Sequence, residues 1–178
     1  MPRKEIEREF LNGYLDGMQD AVECGFLFGS VAKGYYKPHH DIDVFLIFKE
    51  ANDNAQTVAK NRYFSLHEKF RASPDTQYPG EFYTRSQIER YVDEPINLDL
   101  DWRLYGEQML DRLFVLEVLA GEKTAIFGDG RFLSEMKTKS ESLLREWRQH
   151  FNNQMLGMSD YDVLKSVIFK KLSSSQKT

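Results

Sequence analysis

The sequence has little cysteine, no excess of basic charge and no long apolar run. Its one cysteine, Cys24, cannot form an intrachain disulfide, which excludes a disulfide-stapled fold and predicts a reducing, cytoplasmic setting. The net charge of −4 excludes the basic surface that non-specific nucleic-acid binding needs. No apolar stretch approaches the roughly 18 residues of a membrane span, and the N-terminus lacks the apolar segment of a signal peptide. We therefore expect neither a membrane nor a nucleic-acid partner.

What the sequence does contain is enough apolar material for a real core. The chain has 178 residues, of which 41% are hydrophobic and 13% aromatic. This length suits one domain, or one domain with a small appendage.

Two aspartates, Asp41 and Asp43, open the apolar run IDVFLIF. Side chains at i and i+2 of a strand point to the same face, so the two carboxylates are expected to project together. Two like charges about 4 Å apart repel by about 4 kcal/mol at an effective dielectric of 20, and a divalent cation relieves that repulsion. Magnesium takes one or two carboxylates together with substrate phosphates, so the pair predicts a Mg²⁺ site.

A Gly-Ser pair, Gly29 and Ser30, ends the preceding apolar run CGFLFGS. Glycine lets the backbone approach a phosphate closely, and Ser30 offers a hydroxyl and an N–H at the first turn of a short predicted helix. Lys33 follows in the same turn, where its charge suits a triphosphate. We predict that Gly29, Ser30 and Lys33 bind a nucleotide.

Together, GSVAKG and the following DID resemble the nucleotidyltransferase domain of the DNA polymerase beta superfamily. The resemblance implies that Gly29 and Ser30 contact the terminal phosphates of an NTP, and that Asp41 and Asp43 hold one or two Mg²⁺ ions. It further implies transfer of a nucleoside monophosphate to a hydroxyl, with release of pyrophosphate. One departure is His40, which stands where the family usually has serine just before the two aspartates.

A third carboxylate is expected on the third strand of that family, and Glu81 is the residue that matches. Residues 80–84 read as a strand in which Glu81 and Tyr83 share a face, so Glu81 is predicted to complete the metal site or to act as the catalytic base. The alternative is the stretch NLDLD, where Asp99 and Asp101 repeat the carboxylate spacing. His67, beside Leu66 on a predicted helix, is interpreted as structural.

The fold class is predicted as α/β, a small mixed sheet with flanking helices and a short helical C-terminal extension. Helices are predicted at 3–22, 30–35, 55–72, from 86 onward, and at 103–120, 131–151 and 160–172, with strands at 26–29, 42–48 and 80–84. Gly25 is expected to end the first helix, and residues 125–127 to form a short extended piece. The predicted domains are a catalytic core over 1–102, a helical extension over 103–172 and a disordered tail over 173–178.

The acceptor is inferred from a second resemblance. The chain also resembles aminoglycoside adenylyltransferases, which implies AMP transfer to a small, cationic hydroxyl compound. Two alternatives stay open at this point: a minimal nucleotidyltransferase antitoxin that modifies a helical partner protein, and a nucleotide-binding protein without turnover. A homodimer is also left open.

Overall fold

A computed structural model of the chain describes residues 2–95 and 102–150, with the side chains of residues 2, 102–109, 148 and 150 excepted. The helices are α1 (Pro2–Glu9), α2 (Gly29–Ala32), α3 (Asp53–Phe70), α4 (Arg85–Asp93), α5 (Trp102–Ala120) and α6 (Gly130–His150), and a π-helical turn spans Phe10–Tyr14. The strands are β1 (Val22–Leu27), β2 (Val44–Phe48), β3 (Glu81–Thr84) and β4 (Thr124–Gly128).

The four strands of the described residues form one sheet, in the order β3-β2-β1-β4. β1 pairs antiparallel with both β2 and β4, whereas β2 and β3 are parallel. A parallel pair needs a crossover connection, and α3 provides it. The mixed sheet with helices confirms the predicted α/β class.

The two faces of β2 are both buried, as its unbroken apolar sequence predicts. One face carries Val44, Leu46 and Phe48, which join a core with the apolar sides of α1 and α3. The opposite face carries Phe45, whose ring stacks between Phe26 and Tyr83 at centroid distances of 5.0 and 5.3 Å. Residues 43 and 81 are therefore carried on the face of this aromatic row.

The predicted first helix is too long. The predicted helix runs from 3 to 22, whereas in the structure α1 and the π-helical turn together end at Tyr14. The strand β1 then begins at Val22 rather than at residue 26. The four-residue spacing of buried side chains continues to Met18, but Gly17 adopts a left-handed φ of +69°, which breaks the helix. Gly25 is not a helix cap; it lies in β1, where a Cβ would stand 2.6 Å from a methyl of Leu46.

The remaining boundaries agree with prediction within a few residues. The predicted extended piece at 125–127 is present as β4, and its place as the fourth strand was not anticipated. Gly128 has a φ of +91°, and a Cβ there would overlap the backbone of β1. The predicted helix at 160–172 and the loop with Asp99 and Asp101 lie outside the described residues.

By contact density the described residues fall into two compact units. The first comprises the residues up to Glu89 together with Gly121–Ser134; the second comprises Arg90–Ala120 and the described residues from Glu135 on. The domain boundaries given above stay predictions. Within residues 2–95 and 102–150, none of the helices has the length and apolar character needed to cross a bilayer.

Candidate active site

Gly29 lies where β1 turns into the short helix α2, and it packs directly on Asp43. Its φ of +59° is a left-handed conformation that side chains disfavour. A Cβ at this position would overlap Oδ2 of Asp43 and would lie 2.7 Å from Cγ of the same carboxylate. The Gly-Ser pair and the second aspartate of the DID segment are therefore in contact.

The segment Asp41–Asp43 immediately precedes β2 rather than forming its first residues. Ile42 is completely buried, while Asp41 is exposed and Asp43 is half-buried. The carbonyl of Asp43 accepts a hydrogen bond from the N–H of Phe28 at 3.1 Å, which fixes the segment to the end of β1. Whether the two carboxylates project together stays a prediction, because both residues precede the strand on which it was based.

The surroundings of the Asp43 carboxylate disfavour its ionised form. Burial raises its pKa first, and the negative charge of Asp41 raises it next. The charge of Glu81 raises it as well, while the backbone N–H of Ser30 lowers it, and the result is a pKa of about 7. Asp41, Glu81 and the backbone N–H of Ser30 thus all act on the Asp43 carboxylate.

Glu81 begins β3 and pairs in register with Phe45, two residues after Asp43. Its Oε2 accepts a hydrogen bond from the hydroxyl of Tyr83 at 3.2 Å, so the two side chains share a face as predicted. In the described part of the chain, however, no three His, Cys, Asp or Glu side chains lie close enough together to hold a metal ion. The metal role of Glu81 stays a prediction, and its alternatives Asp99 and Asp101 lie outside the described residues.

The hydroxyl of Ser30 is buried and has no hydrogen-bond partner. An unsatisfied buried polar group costs about 1–3 kcal/mol, so a buried hydroxyl of this kind calls for an explanation such as a ligand. Lys33 lies exposed at the C-terminal end of α2, where its backbone N–H donates to the carbonyl of Gly29 at 3.1 Å. The roles of Ser30 and Lys33 in nucleotide binding both stay predictions.

His67 of α3 is a residue of the site that the sequence did not reveal as such. It is completely buried, and its Nε2 accepts a hydrogen bond from the N–H of Ile42 at 2.8 Å. Its Nδ1 lies 2.8 Å from the carbonyl of Tyr63, one turn earlier in the helix. The interpretation of His67 as structural is correct about its burial, but nothing in the local sequence shows that its partner stands between the two aspartates.

A shallow, open cleft of about 570 Å³ adjoins the first aspartate. Its lining comes from two loops and consists of His39, His40, Asp41, Ser73, Pro74 and Asp75. The N–H of Asp75 donates to the hydroxyl of Tyr63 at 2.9 Å, so α3 holds this second loop as well. The cleft gives a substrate access to Asp41.

Residues 11–76 match the model of the family described as Polymerase beta, Nucleotidyltransferase. The matched range contains the Gly-Ser pair and both aspartates, and it ends before Glu81. No curated protein and no solved structure matches the chain significantly. The match supports a nucleotidyltransferase domain of the DNA polymerase beta superfamily, and with it a general nucleotidyl transfer activity.

Proposed function

We propose that the protein is a Mg²⁺-dependent nucleotidyltransferase that moves a nucleoside monophosphate, AMP being the first to test, from an NTP to a hydroxyl of a small-molecule acceptor. The observation that carries the proposal is the surroundings of the Asp43 carboxylate. It packs on Gly29, interacts with the N–H of Ser30 and responds to the charges of Asp41 and Glu81. The family match to residues 11–76 supports the same activity.

The residues present suit a magnesium ion with a phosphate chain. The donors are hard carboxylate oxygens, and burial, followed by the charge of Asp41, raises the pKa of Asp43, so a bound cation would stabilise its ionised form. The hydroxyl of Ser30 has no hydrogen-bond partner and, because it is buried, it would have to turn toward a bound nucleotide before it could donate to a phosphate oxygen. Asp41 and Asp43 would hold the ion, which when bound neutralises phosphate charge and aligns the attacking and leaving oxygens.

The chain's own groups then divide the work of the transfer. Gly29 and Ser30 would bind the β- and γ-phosphates, and Asp41 and Asp43 would hold the ion to which the phosphates bind. The acceptor oxygen forms a bond to the α-phosphorus while the bond from that phosphorus to the pyrophosphate oxygen breaks. Glu81 takes the proton of the acceptor hydroxyl, and the hydrogen bond from the Tyr83 hydroxyl to its carboxylate would limit how that carboxylate moves.

A small acceptor agrees with the cleft beside Asp41. Asp41 and Asp75 line it together with His39 and His40, and its described lining residues include no lysine or arginine, so the two carboxylates would attract a cationic compound. Aminoglycosides are polycationic and rich in hydroxyls, and they are therefore the first acceptors to screen. A screen in which only a co-purified protein becomes labelled would replace the small molecule by a protein acceptor.

The first test is a thermal-shift titration with ATP, GTP, CTP and UTP, each with and without Mg²⁺. A ligand at a hundred times its Kd stabilises the native state by about 2.7 kcal/mol, which corresponds to roughly 5–10 °C for a chain of this size. We expect a Mg²⁺-dependent shift in the wild type that Asp43→Asn abolishes. Asp20→Asn is the matched control, because it removes the same charge from an exposed residue at the other end of β1.

Transfer itself is then followed with the stabilising nucleotide labelled at its α-phosphate. Label on an acceptor, together with released pyrophosphate, supports the proposal. A Mg²⁺-dependent shift that survives Asp43→Asn would contradict the role of Asp43, and the absence of a shift with all four nucleotides would overturn the proposed function.

A further inference from the structure

The hydrogen bonds of His67 fix its protonation state. The N–H of Ile42 can only donate, so Nε2 of His67 must be the acceptor and carries no proton. The carbonyl of Tyr63 can only accept, so Nδ1 must carry the proton and donate it. His67 is therefore neutral and present as a single tautomer. Its burial, which lowers its pKa, has the same consequence.

This histidine has a specific mechanical position. It links the backbone of α3, a long helix with its own apolar anchors, to the one amide that lies between Asp41 and Asp43. On the other side, the carbonyl of Asp43 is fixed by the N–H of Phe28. The segment that carries both carboxylates is thus held from α3 through Ile42 and from β1 through Asp43.

Packing alone does not explain a histidine here. The buried side of α3 already contains Ala55, Ala59, Tyr63 and Leu66, and an apolar residue would fill the position of His67 without the desolvation cost of an imidazole. What an apolar residue would not supply is an acceptor for the buried N–H of Ile42, which would then be unsatisfied.

We propose that His67 is a positioning residue: through the Ile42 amide it sets the placement of the Asp41 and Asp43 carboxylates for the metal ion. The inference rests on the proposed function, because the placement matters only if the pair holds a cation. His67 itself does not touch the ion or the substrate. Its contribution is to limit the backbone conformations available to the segment, so that the two carboxylates need not be ordered when the ion binds.

The test compares two substitutions that differ in one property. His67→Gln keeps a hydrogen-bond acceptor within reach of Ile42, whereas His67→Met keeps the volume and replaces the ring nitrogen by a thioether sulfur, which accepts only weakly. Tyr14→Phe is the matched control, because it deletes a buried hydrogen bond between α3 and the π-helical turn, from the Tyr14 hydroxyl to the Ala59 carbonyl at 3.0 Å, away from the aspartates. Affinity for Mn²⁺, the probe ion, is measured by electron paramagnetic resonance, and amide hydrogen exchange reports on Ile42.

We expect His67→Met to expose the Ile42 amide to exchange and to weaken Mn²⁺ binding about tenfold, the lower end of what removal of a partner that orients metal ligands costs. His67→Gln should recover most of the affinity, and Tyr14→Phe should lose stability without losing Mn²⁺ affinity. Wild-type affinity in His67→Met, with a freely exchanging Ile42 amide, would overturn the positioning role and leave the proposed function intact. A wild-type protein that binds no Mn²⁺ would overturn the proposed function, and this inference with it.

A second measurement needs no variant and so does not depend on His67→Met folding. Long-range ¹⁵N–¹H NMR of the wild type distinguishes the protonated ring nitrogen from the acceptor. A proton on Nδ1 of His67 supports the inference, and a proton on Nε2 overturns it, because Nε2 could then not accept from Ile42.

Discussion

Replacing Gly29 by alanine tests whether this glycine is required to admit the Asp43 carboxylate. Two separate costs are expected. The backbone must keep a left-handed φ of +59°, and the new Cβ must share space with the carboxylate, whose Cγ would lie 2.7 Å away. Gly17→Ala provides the matched control, since Gly17 has a similar φ of +69° and nothing within 4 Å of the position of its Cβ.

The magnitudes follow from these two contacts. A left-handed conformation costs a non-glycine residue about 1–2 kcal/mol, which is the whole cost expected for Gly17→Ala. Displacing the Asp43 side chain from its rotamer adds about 0.5–1.5 kcal/mol at Gly29. We therefore expect Gly29→Ala to lower the free energy of unfolding by about 1.5–3.5 kcal/mol, and to displace a carboxylate of the proposed metal site as well.

Urea denaturation of four proteins measures the coupling: the wild type, Gly29→Ala, Asp43→Ala and the double variant. Truncating Asp43 removes Oδ2 and Cγ and leaves only its Cβ, 3.3 Å from the Cβ of an alanine at 29. The cost of Gly29→Ala should then fall toward that of Gly17→Ala. Mn²⁺ binding should be lost in Gly29→Ala and kept in Gly17→Ala.

The reasoning is refuted if Gly29→Ala costs no more than Gly17→Ala, or if its cost is the same with and without the Asp43 carboxylate. Either result would mean that Gly29 serves only the turn, and that the contact between the two motifs is incidental.

Three other predictions concern single side chains. Ser30→Ala should reduce the thermal shift caused by the Mg²⁺-nucleotide complex without lowering the free energy of unfolding. Ser140→Ala also removes a buried, unpartnered hydroxyl, and it should leave the thermal shift unchanged. Equal thermal shifts in the two variants would contradict a phosphate role for Ser30. The pKa of Asp43 is raised from an ordinary 3.8 to about 7, so its contribution to the free energy of unfolding is full below pH 3.8 and is lost as the pH rises through about 7. In urea titrations at several pH values, Asp43→Asn should remove this loss of stability between pH 3.8 and about 7. Arg112→Lys should destabilise the protein by on the order of 2 kcal/mol in the same assay, because the Arg112 guanidinium donates to the carbonyls of Tyr91, Glu94 and Pro95 beyond the reach of one ammonium; an unchanged midpoint would contradict this.

Local patterns predicted most of the fold. The apolar run of β2, the helix of α3 and the strand at Glu81 are each specified by residues next to one another in sequence. The same holds for the order of Gly29, Ser30, Asp41 and Asp43, on which the resemblance to the DNA polymerase beta superfamily rests. The prediction of one long first helix was wrong because two structures bury every fourth side chain here. One is a continuous helix, and the other, which the protein has, is a shorter helix followed by turns.

What the sequence could not show depends on contacts between distant residues. The pairing of β4 with β1, the hydrogen bond from Ile42 to His67 and the overlap of Gly29 with Asp43 all join positions whose relation no local pattern encodes. His67 is the clearest case. The sequence around a buried helical histidine is the same whether its hydrogen-bond partner is a carbonyl in the core or a backbone amide in an active site.

The strand order β3-β2-β1-β4 has a consequence for dissecting this protein. The segment that matches the family, residues 11–76, contains only the two central strands. Expressed alone, it would leave β2 without β3 and β1 without β4, and two unpaired edges on a two-stranded hairpin recruit other chains. Such a fragment should aggregate, so the smallest piece worth purifying must extend at least through Gly128, far past the residues by which the family is recognised.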